Sequence, residues 1–169
     1  MEKAYFCTLE TPIGTMRVAS TEQGVCRIDL PGEHDDFFPW LHRIFGEENL
    51  VENPDANRAV TRELDEYFAG NRKEFTVPMD IRGTAFQTDV WAELRKIPYG
   101  QTSTYKRIAE AVGNPKACRA VGGANHCNPL PIIIPCHRVI GEGGGLVGFG
   151  GGLDLKVRLL DLEKAPGRS

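Results

Sequence analysis

Thr104-Tyr105-Lys106-Arg107-Ile108-Ala109-Glu110-Ala111-Val112-Gly113-Asn114-Pro115 reads as a helix, a stop and a restart. Thr104 is a favourable N-cap and Gly113 a favourable stop. Asn114-Pro115 then reads as N-cap and first helical residue, so a second helix is expected over Lys116 to Ala124. Two short helices joined by a tight Gly-Asn turn make a helix-turn-helix outline. The second helix is built of small residues (Ala117, Ala120, Gly122, Gly123, Ala124), although glycine is a poor helix former. Such a face suits close approach to a partner, with Lys116 and Arg119 supplying charge for phosphates. It equally suits tight packing against another helix, and the residues alone leave both open.

Upstream, Thr84 with Gln87 three residues on predicts a capping box, and Phe86, Val90, Trp91 and Leu94 form one apolar face. Pro98-Tyr99-Gly100 ends that helix. Residues 1–30 read instead as a meander of strands near 4–9, 15–19 and 25–30, separated by turn chemistry at 11–14 and 22–24. Residues 31–53 give no clear element. A helix is expected from Asp55 to Ala69, because Val60, Leu64, Tyr67 and Phe68 repeat at helical spacing before Gly70. Phe75 to Pro78 reads as a strand end, and the polar 79–83 as a linker. The expected fold is therefore α/β (α+β). A small N-terminal sheet-and-helix domain spans 1–81, and a mainly helical, winged-helix-like domain spans 82–169.

Composition narrows the function classes. The chain has 169 residues and a net charge of −3, unevenly spread. Residues 1–81 carry 8 Lys/Arg against 16 Asp/Glu, 82–139 carry 8 against 3, and 140–169 carry 4 of each. A basic segment behind an acidic one raises the prospect of a polyanion partner for the second domain alone. No apolar run approaches the roughly 18 residues that cross a bilayer, so no membrane association is expected. An odd count of five cysteines, without the density of a secreted disulfide scaffold, points to a reducing cytoplasm.

The chemistry concentrates in Pro129-Leu130-Pro131-Ile132-Ile133-Ile134-Pro135-Cys136-His137-Arg138-Val139. An apolar run delivers Cys136 directly after a proline, which reads as a strand end held in a fixed position. A nucleophilic cysteine reacts as thiolate and needs a positive or hydrogen-bonding environment, which His137 and Arg138 can supply. Adjacent side chains point apart in a strand, so a water-bridged relay between Cys136 and His137 is the expected geometry. Glu163, in a closing helix from Leu153 to Lys164, is a candidate to orient the imidazole. Cys118, Cys127 and Cys136 recur at nine-residue intervals beside His126 and His137, but without a C-x-x-C pair this is not zinc-site spacing. Cys7, Cys26 and Cys127 read as small apolar residues in or near cores, and Trp40, Trp91, Phe37 and Phe38 as packing residues.

Taken together, these features give residues 84–163 a close resemblance to the catalytic domain of the O6-alkylguanine-DNA alkyltransferases (methylated-DNA–protein-cysteine methyltransferases). The matching motifs are Pro135-Cys136-His137-Arg138-Val139 with the preceding Asn128 to Ile134, Arg119-Ala120-Val121-Gly122-Gly123-Ala124, Gly100-Gln101-Thr102-Ser103-Thr104-Tyr105, and Gly148-Phe149-Gly150-Gly151-Gly152-Leu153. Residues 1–81 resemble that family's N-terminal domain loosely.

The resemblance implies DNA repair by direct, single-use transfer of an alkyl group from O6-alkylguanine in a duplex to Cys136, with the base flipped out. It implies that Tyr105 protonates or hydrogen-bonds the departing guanine oxygen. Asn128 ties the segment before the cysteine to the helix-turn-helix, and His137 with Glu163 favours thiolate. It implies that Arg119 fills the vacated stack. Thr104, Lys106, Lys116, Ala120, Gly122 and Gly123 meet the DNA from the minor groove, and Pro131, Val139, Phe149 and Gly150 line the base pocket. Many relatives carry a tyrosine and a hydroxyl residue where Phe149 and Gly150 stand. The resemblance further implies no metal and no cofactor, a monomer, and double-stranded DNA with alkylated bases as partner. A cysteine hydrolase would need an oxyanion hole and an acyl cleft, neither of which this motif set supplies.

Overall fold

In the computed structural model, the first thirty residues form the expected meander: β1 (Ala4–Thr11), β2 (Gly14–Thr21) and β3 (Gly24–Asp29), all antiparallel. The structure describes residues 2–32, 36–144 and 152–164. The chain divides into two compact units, Met1–Ile81 and Arg82–Ser169.

The stretch 31–53, unreadable in the sequence, contains α1 (Phe37–Phe45), a 3-10 turn (Glu47–Asn49) and β4 (Leu50–Glu52). β4 pairs parallel to β1, completing a sheet of order β3-β2-β1-β4. Phe37, Leu41 and Phe45 of α1 bury against Ala4, Ala19 and Cys26, the small residues that the sheet presents to them. α2 (Arg58–Phe68) buries Val60, Leu64, Tyr67 and Phe68, the four residues whose spacing announced it. Its buried Glu63 accepts hydrogen bonds from the backbone N–H groups of Thr76 (2.8 Å) and Val77 (3.3 Å) and from the Thr76 hydroxyl.

That carboxylate corrects the expectation for 75–78, which form no strand. Glu63 takes the donors that a ladder would need, and Pro78 has none to give. One parallel bridge remains, Val25 to Met79, with Val25 N–H donating to Pro78 O at 3.0 Å and Asp80 N–H to Val25 O at 2.8 Å. A side chain at Gly24 would sit 2.5 Å from the Pro78 backbone, so glycine is required for this close approach.

In the second unit α3 (Ala85–Leu94) opens on the predicted capping box, with Thr84 Oγ1 accepting from Gln87 N–H and Gln87 Oε1 from Thr84 N–H. Val90, Trp91 and Leu94 are buried, and the Trp91 indole donates to Ala124 O at 2.8 Å. β5 (Ser103–Thr104) leads into α4 (Tyr105–Ala111), whose N-cap Thr104 accepts from Arg107 N–H. The second helix of the hairpin, α5, spans Cys118–His126, later than expected at both ends. Asn114 to Ala117 form a turn instead, closed by Ala117 N–H to Asn114 O at 2.9 Å, and Asn114 does not cap the helix. β6 (Val139–Ile140) pairs parallel to β5, and α6 (Leu153–Lys164) closes the described fold.

Candidate active site

The segment carrying Cys136 is not a strand end. Residues 129–135 fold into a tight irregular loop, and Cys136 opens a 3-10 turn (Cys136–Arg138). Pro129, Pro131 and Pro135 withhold three ladder donors from the run, so the β-branched residues pack as a loop. Asn128 holds that loop at both ends: its Oδ1 accepts from Leu130 N–H at 2.9 Å and its Nδ2 donates to Ile134 O at 2.7 Å. Between them Ile132 adopts φ 77°, a left-handed conformation unfavourable for a β-branched residue, while being 1% exposed. Asn128 lies just past the end of α5, so the loop's geometry is anchored at the end of the helix-turn-helix.

Cys136 itself is buried at 4% exposure. His137, fully buried beside it, meets Glu163 of α6 with 2.6 Å between Nε2 and Oε2. Arg138 grips the same carboxylate twice, Nε to Oε1 at 2.8 Å and Nη2 to Oε2 at 2.9 Å, and donates through Nη1 to Ile97 O at 2.7 Å. Gly100 N–H adds a longer contact to Oε1 at 3.4 Å. Burial alone would raise the Glu163 pKa; hydrogen bonds from His137 and Arg138, and their charge, overcome it and bring the value to about 2. Burial lowers that of His137, with Glu163 opposing and Arg138 and Lys156 reinforcing, so the ring is neutral beside an ionised carboxylate. A carboxylate only accepts, so Nε2 carries the proton. Nδ1 is then a bare lone pair, buried without a hydrogen-bond partner among the described residues.

Both shifts make the fold acid-sensitive. A depressed folded-state value means stability present above the ordinary pKa and lost as pH falls through the folded one. Unfolding free energy is therefore expected to decline below the ordinary histidine value of 6.5, and more steeply from 4.5 towards about 2 as Glu163 is protonated. Chemical denaturation across that range checks the slope, and Glu163→Gln should flatten its lower part.

Two residues overlooked in the sequence face the same centre. Lys156 of α6 is fully buried, donates from Nζ to Val139 O at 2.6 Å, and has its pKa lowered by burial while the charge of Cys136 opposes. Its signal was available: Lys156 stands on the buried stripe of α6 with Leu155, Leu159 and Glu163. Asn125 of α5 is also buried, and its Nδ2 donates to Cys136 O at 3.4 Å. Tyr105, first residue of α4, is half-buried; burial raises its pKa most, with the Cys136 charge adding, so the phenol keeps its proton at neutral pH.

The remaining predicted residues fall into two groups. Pro131 and Val139 are buried in the Cys136 loop and after it, whereas Phe149 and Gly150 lie outside the described residues. On α5, Arg119, Ala120 and Gly123 are exposed and Gly122 half-exposed, while Val121, Ala124 and Asn125 face inward. A Cβ built on Gly122 or Gly123 would meet nothing within 4 Å among the described residues, so those two glycines are not required by packing against another described helix. Lys106 and Lys116 are exposed, and Thr104 is half-buried with its hydroxyl committed to the cap. Cys127, expected in or near a core, is exposed just past the helix end, while Cys7 and Cys26 are buried. Among the described residues no group of His, Cys, Asp and Glu is disposed to hold a metal, and no helix is long and apolar enough to cross a membrane.

Known proteins resemble this chain over nearly its whole length. The family described as 6-O-methylguanine DNA methyltransferase, DNA binding domain, matches residues 85–165, and its ribonuclease-like domain matches residues 4–81. A methylated-DNA–protein-cysteine methyltransferase of Methanosarcina acetivorans is 45% identical over 159 residues, covering 94% of this chain and 97% of that protein. The constitutive methyltransferase of the same name from Bacillus subtilis is 44% identical over 161 residues, covering 95% of each. The crystal structure of Mycobacterium tuberculosis OGT in complex with DNA superposes with a TM-score of 0.85 at 40% identity, covering 95% of this chain and 93% of that one.

Proposed function

The chain belongs to the methylated-DNA–protein-cysteine methyltransferase family, and from that premise we propose that it repairs DNA by moving an alkyl group from guanine O6 in a duplex onto its own Cys136. The observation that carries the assignment of Cys136 is its company: it is joined in sequence to a neutral, fully buried imidazole whose far nitrogen is locked onto Glu163. In that state Nδ1 of His137 is the base that accepts the thiol proton, through a bridging water, and Lys156 offsets the charge of the thiolate.

The thiolate displaces guanine from the alkyl carbon in line, and Tyr105 protonates the departing oxygen, so guanine leaves neutral. A thioether has no bond that water readily cleaves, so each molecule acts once. A base stacked in a duplex cannot reach a cysteine with 4% exposure, which supports extrusion of the lesion, with Arg119 of α5 taking its place. The open face of α5, with Ala120, Gly122 and Gly123, is read as the surface that enters the minor groove, with the exposed Lys116 and Lys106 supplying charge for phosphates. A protein that carries its own acceptor and meets its donor in the DNA works as a monomer without metal or cofactor, and the cytoplasm suits its free thiols.

The deciding experiment is intact-protein mass spectrometry after mixing with a duplex holding one O6-methylguanine. A single added methyl, mapped to Cys136 and absent from Cys136→Ser, is the expected result; a methyl on any other residue overturns the assignment.

Gly122→Ala and Gly123→Ala test the DNA face. Each should stabilise the free protein by about 0.5–1 kcal/mol, because alanine is the better helix former and its methyl enters open space. Each should weaken duplex binding, since the methyl occupies the approach to the backbone. Thermal melts and a binding titration at fixed salt check the opposite signs; weaker binding with no gain in stability, or the reverse, counts against the reading.

A further inference from the structure

Asn125 puts an amide on the buried side of α5, where Val121 and Ala124 are apolar. It is 6% exposed, and its Nδ2 donates to the Cys136 carbonyl at 3.4 Å. A C=O only accepts, so the NH2 end of the amide faces Cys136. Its Oδ1 is buried and has no hydrogen-bond partner among the described residues. The oxygen and nitrogen of one amide lie about 2.3 Å apart, which puts Oδ1 within about 6 Å of the Cys136 carbonyl oxygen. Buried polar atoms are rarely left unpaired, and an apolar residue at this position would avoid the cost. Neighbouring acceptors already hold a donor: Val139 O accepts from Lys156 Nζ at 2.6 Å, and Asn128 Oδ1 from Leu130 N–H at 2.9 Å. The alkylated base has a donor to offer. In O6-alkylguanine O6 is an ether oxygen and the ring nitrogens N1, N3 and N7 carry lone pairs, so the N–H groups of the base are those of the 2-amino group. That group shares an edge with O6, the edge by which an extruded base is read.

We infer that Asn125 is a specificity residue of the acceptor site: its Oδ1 accepts a hydrogen bond from the 2-amino group of the extruded O6-alkylguanine, while its Nδ2 stays on the Cys136 carbonyl. The inference rests on the alkyl-transfer reading. One amide then touches both the base and the backbone of the residue that receives the alkyl group, so it fixes the base relative to the thiol. A base without the 2-amino group leaves Oδ1 buried and unpaired in the complex. The site rejects such a base by the cost of that unpaired acceptor as well as by the lost contact.

The test measures single-turnover transfer from two duplexes, one carrying O6-methylguanine and the other O6-methylhypoxanthine, which differs by lacking the 2-amino group. The ratio of the two rates, in favour of O6-methylguanine, should fall ~10-fold from wild type to Asn125→Leu, chiefly because the O6-methylguanine reaction slows. Both proteins meet the same two duplexes, so differences in how readily each lesion is extruded cancel in the comparison. A ratio that changes less than ~2-fold overturns the proposal, whether both rates hold or both fall together. A joint fall is the pattern of an amide that serves only the fold. Absence of transfer from O6-methylguanine by wild type overturns the alkyl-transfer reading itself, which is a separate outcome. Should Asn125→Leu fail to fold, Asn125→Ala removes the same acceptor and is judged by the same ratio.

Discussion

Glu163→Ala should cost about 3–5 kcal/mol of folding free energy, the range for breaking a buried ion pair from one side. His137, both arms of Arg138 and Gly100 N–H all end on this carboxylate, and Arg138 is 6% exposed. Without Glu163, the buried guanidinium keeps, among the described residues, Ile97 O and the Tyr99 ring face at 5.7 Å. Alkyl transfer should fall with it, because the imidazole loses the partner that fixes its tautomer. The cost belongs to the orphaned charge more than to the pair, so Glu163→Leu combined with Arg138→Met should recover much of the stability and none of the activity. Urea denaturation of the three proteins checks this; a loss under ~1 kcal/mol for Glu163→Ala would mean that water replaces the carboxylate and that the cluster is not sealed.

Tyr105→Phe should lower the single-turnover rate ~10²- to 10³-fold while leaving affinity for the lesion duplex near wild type. The loss is large because the leaving group is otherwise an anion, and because the displaced proton has no equally placed source. Burial and the nearby Cys136 charge both hold the proton on Tyr105, so the donor form is fully populated at neutral pH. A rate unchanged in Tyr105→Phe would assign protonation to another group, and equal losses in rate and affinity would make the hydroxyl a binding contact only.

Most of the site was legible because its chemistry is local. The Pro135-Cys136-His137-Arg138 run, the Thr84–Gln87 capping box and the Thr104 cap are short-range patterns, and each is present as a geometry. What the sequence concealed is of three kinds. Elements stabilised by non-local burial were missed: α1 and β4 exist because Phe37, Leu41 and Phe45 meet Ala4, Ala19 and Cys26 across the sheet. Proline and tertiary donors overrode β-propensity, turning 129–135 into a loop anchored by Asn128 and 75–78 into an irregular segment tied to Glu63. Buried polar residues were hidden because their partners are distant in sequence. Lys156 and Asn125 look like ordinary helix residues until Val139 O and Cys136 O are brought to them.

The loop before the cysteine also places Ile132 in an unusual mutational position. Its backbone, at φ 77°, favours glycine or asparagine, while its side chain, 1% exposed, favours a large aliphatic residue. Glycine would relieve about 1–2 kcal/mol of backbone strain but open a cavity whose cost, about 2–5 kcal/mol for losing such a side chain, is larger. Asparagine would suit the backbone and bury an amide with no partner assured. Glycine and asparagine therefore each improve one requirement at the expense of the other. Leucine keeps the aliphatic bulk and drops the β-branch, so the loop before the acceptor thiol admits exchange among apolar residues of similar volume and resists the residues its backbone angle alone would select.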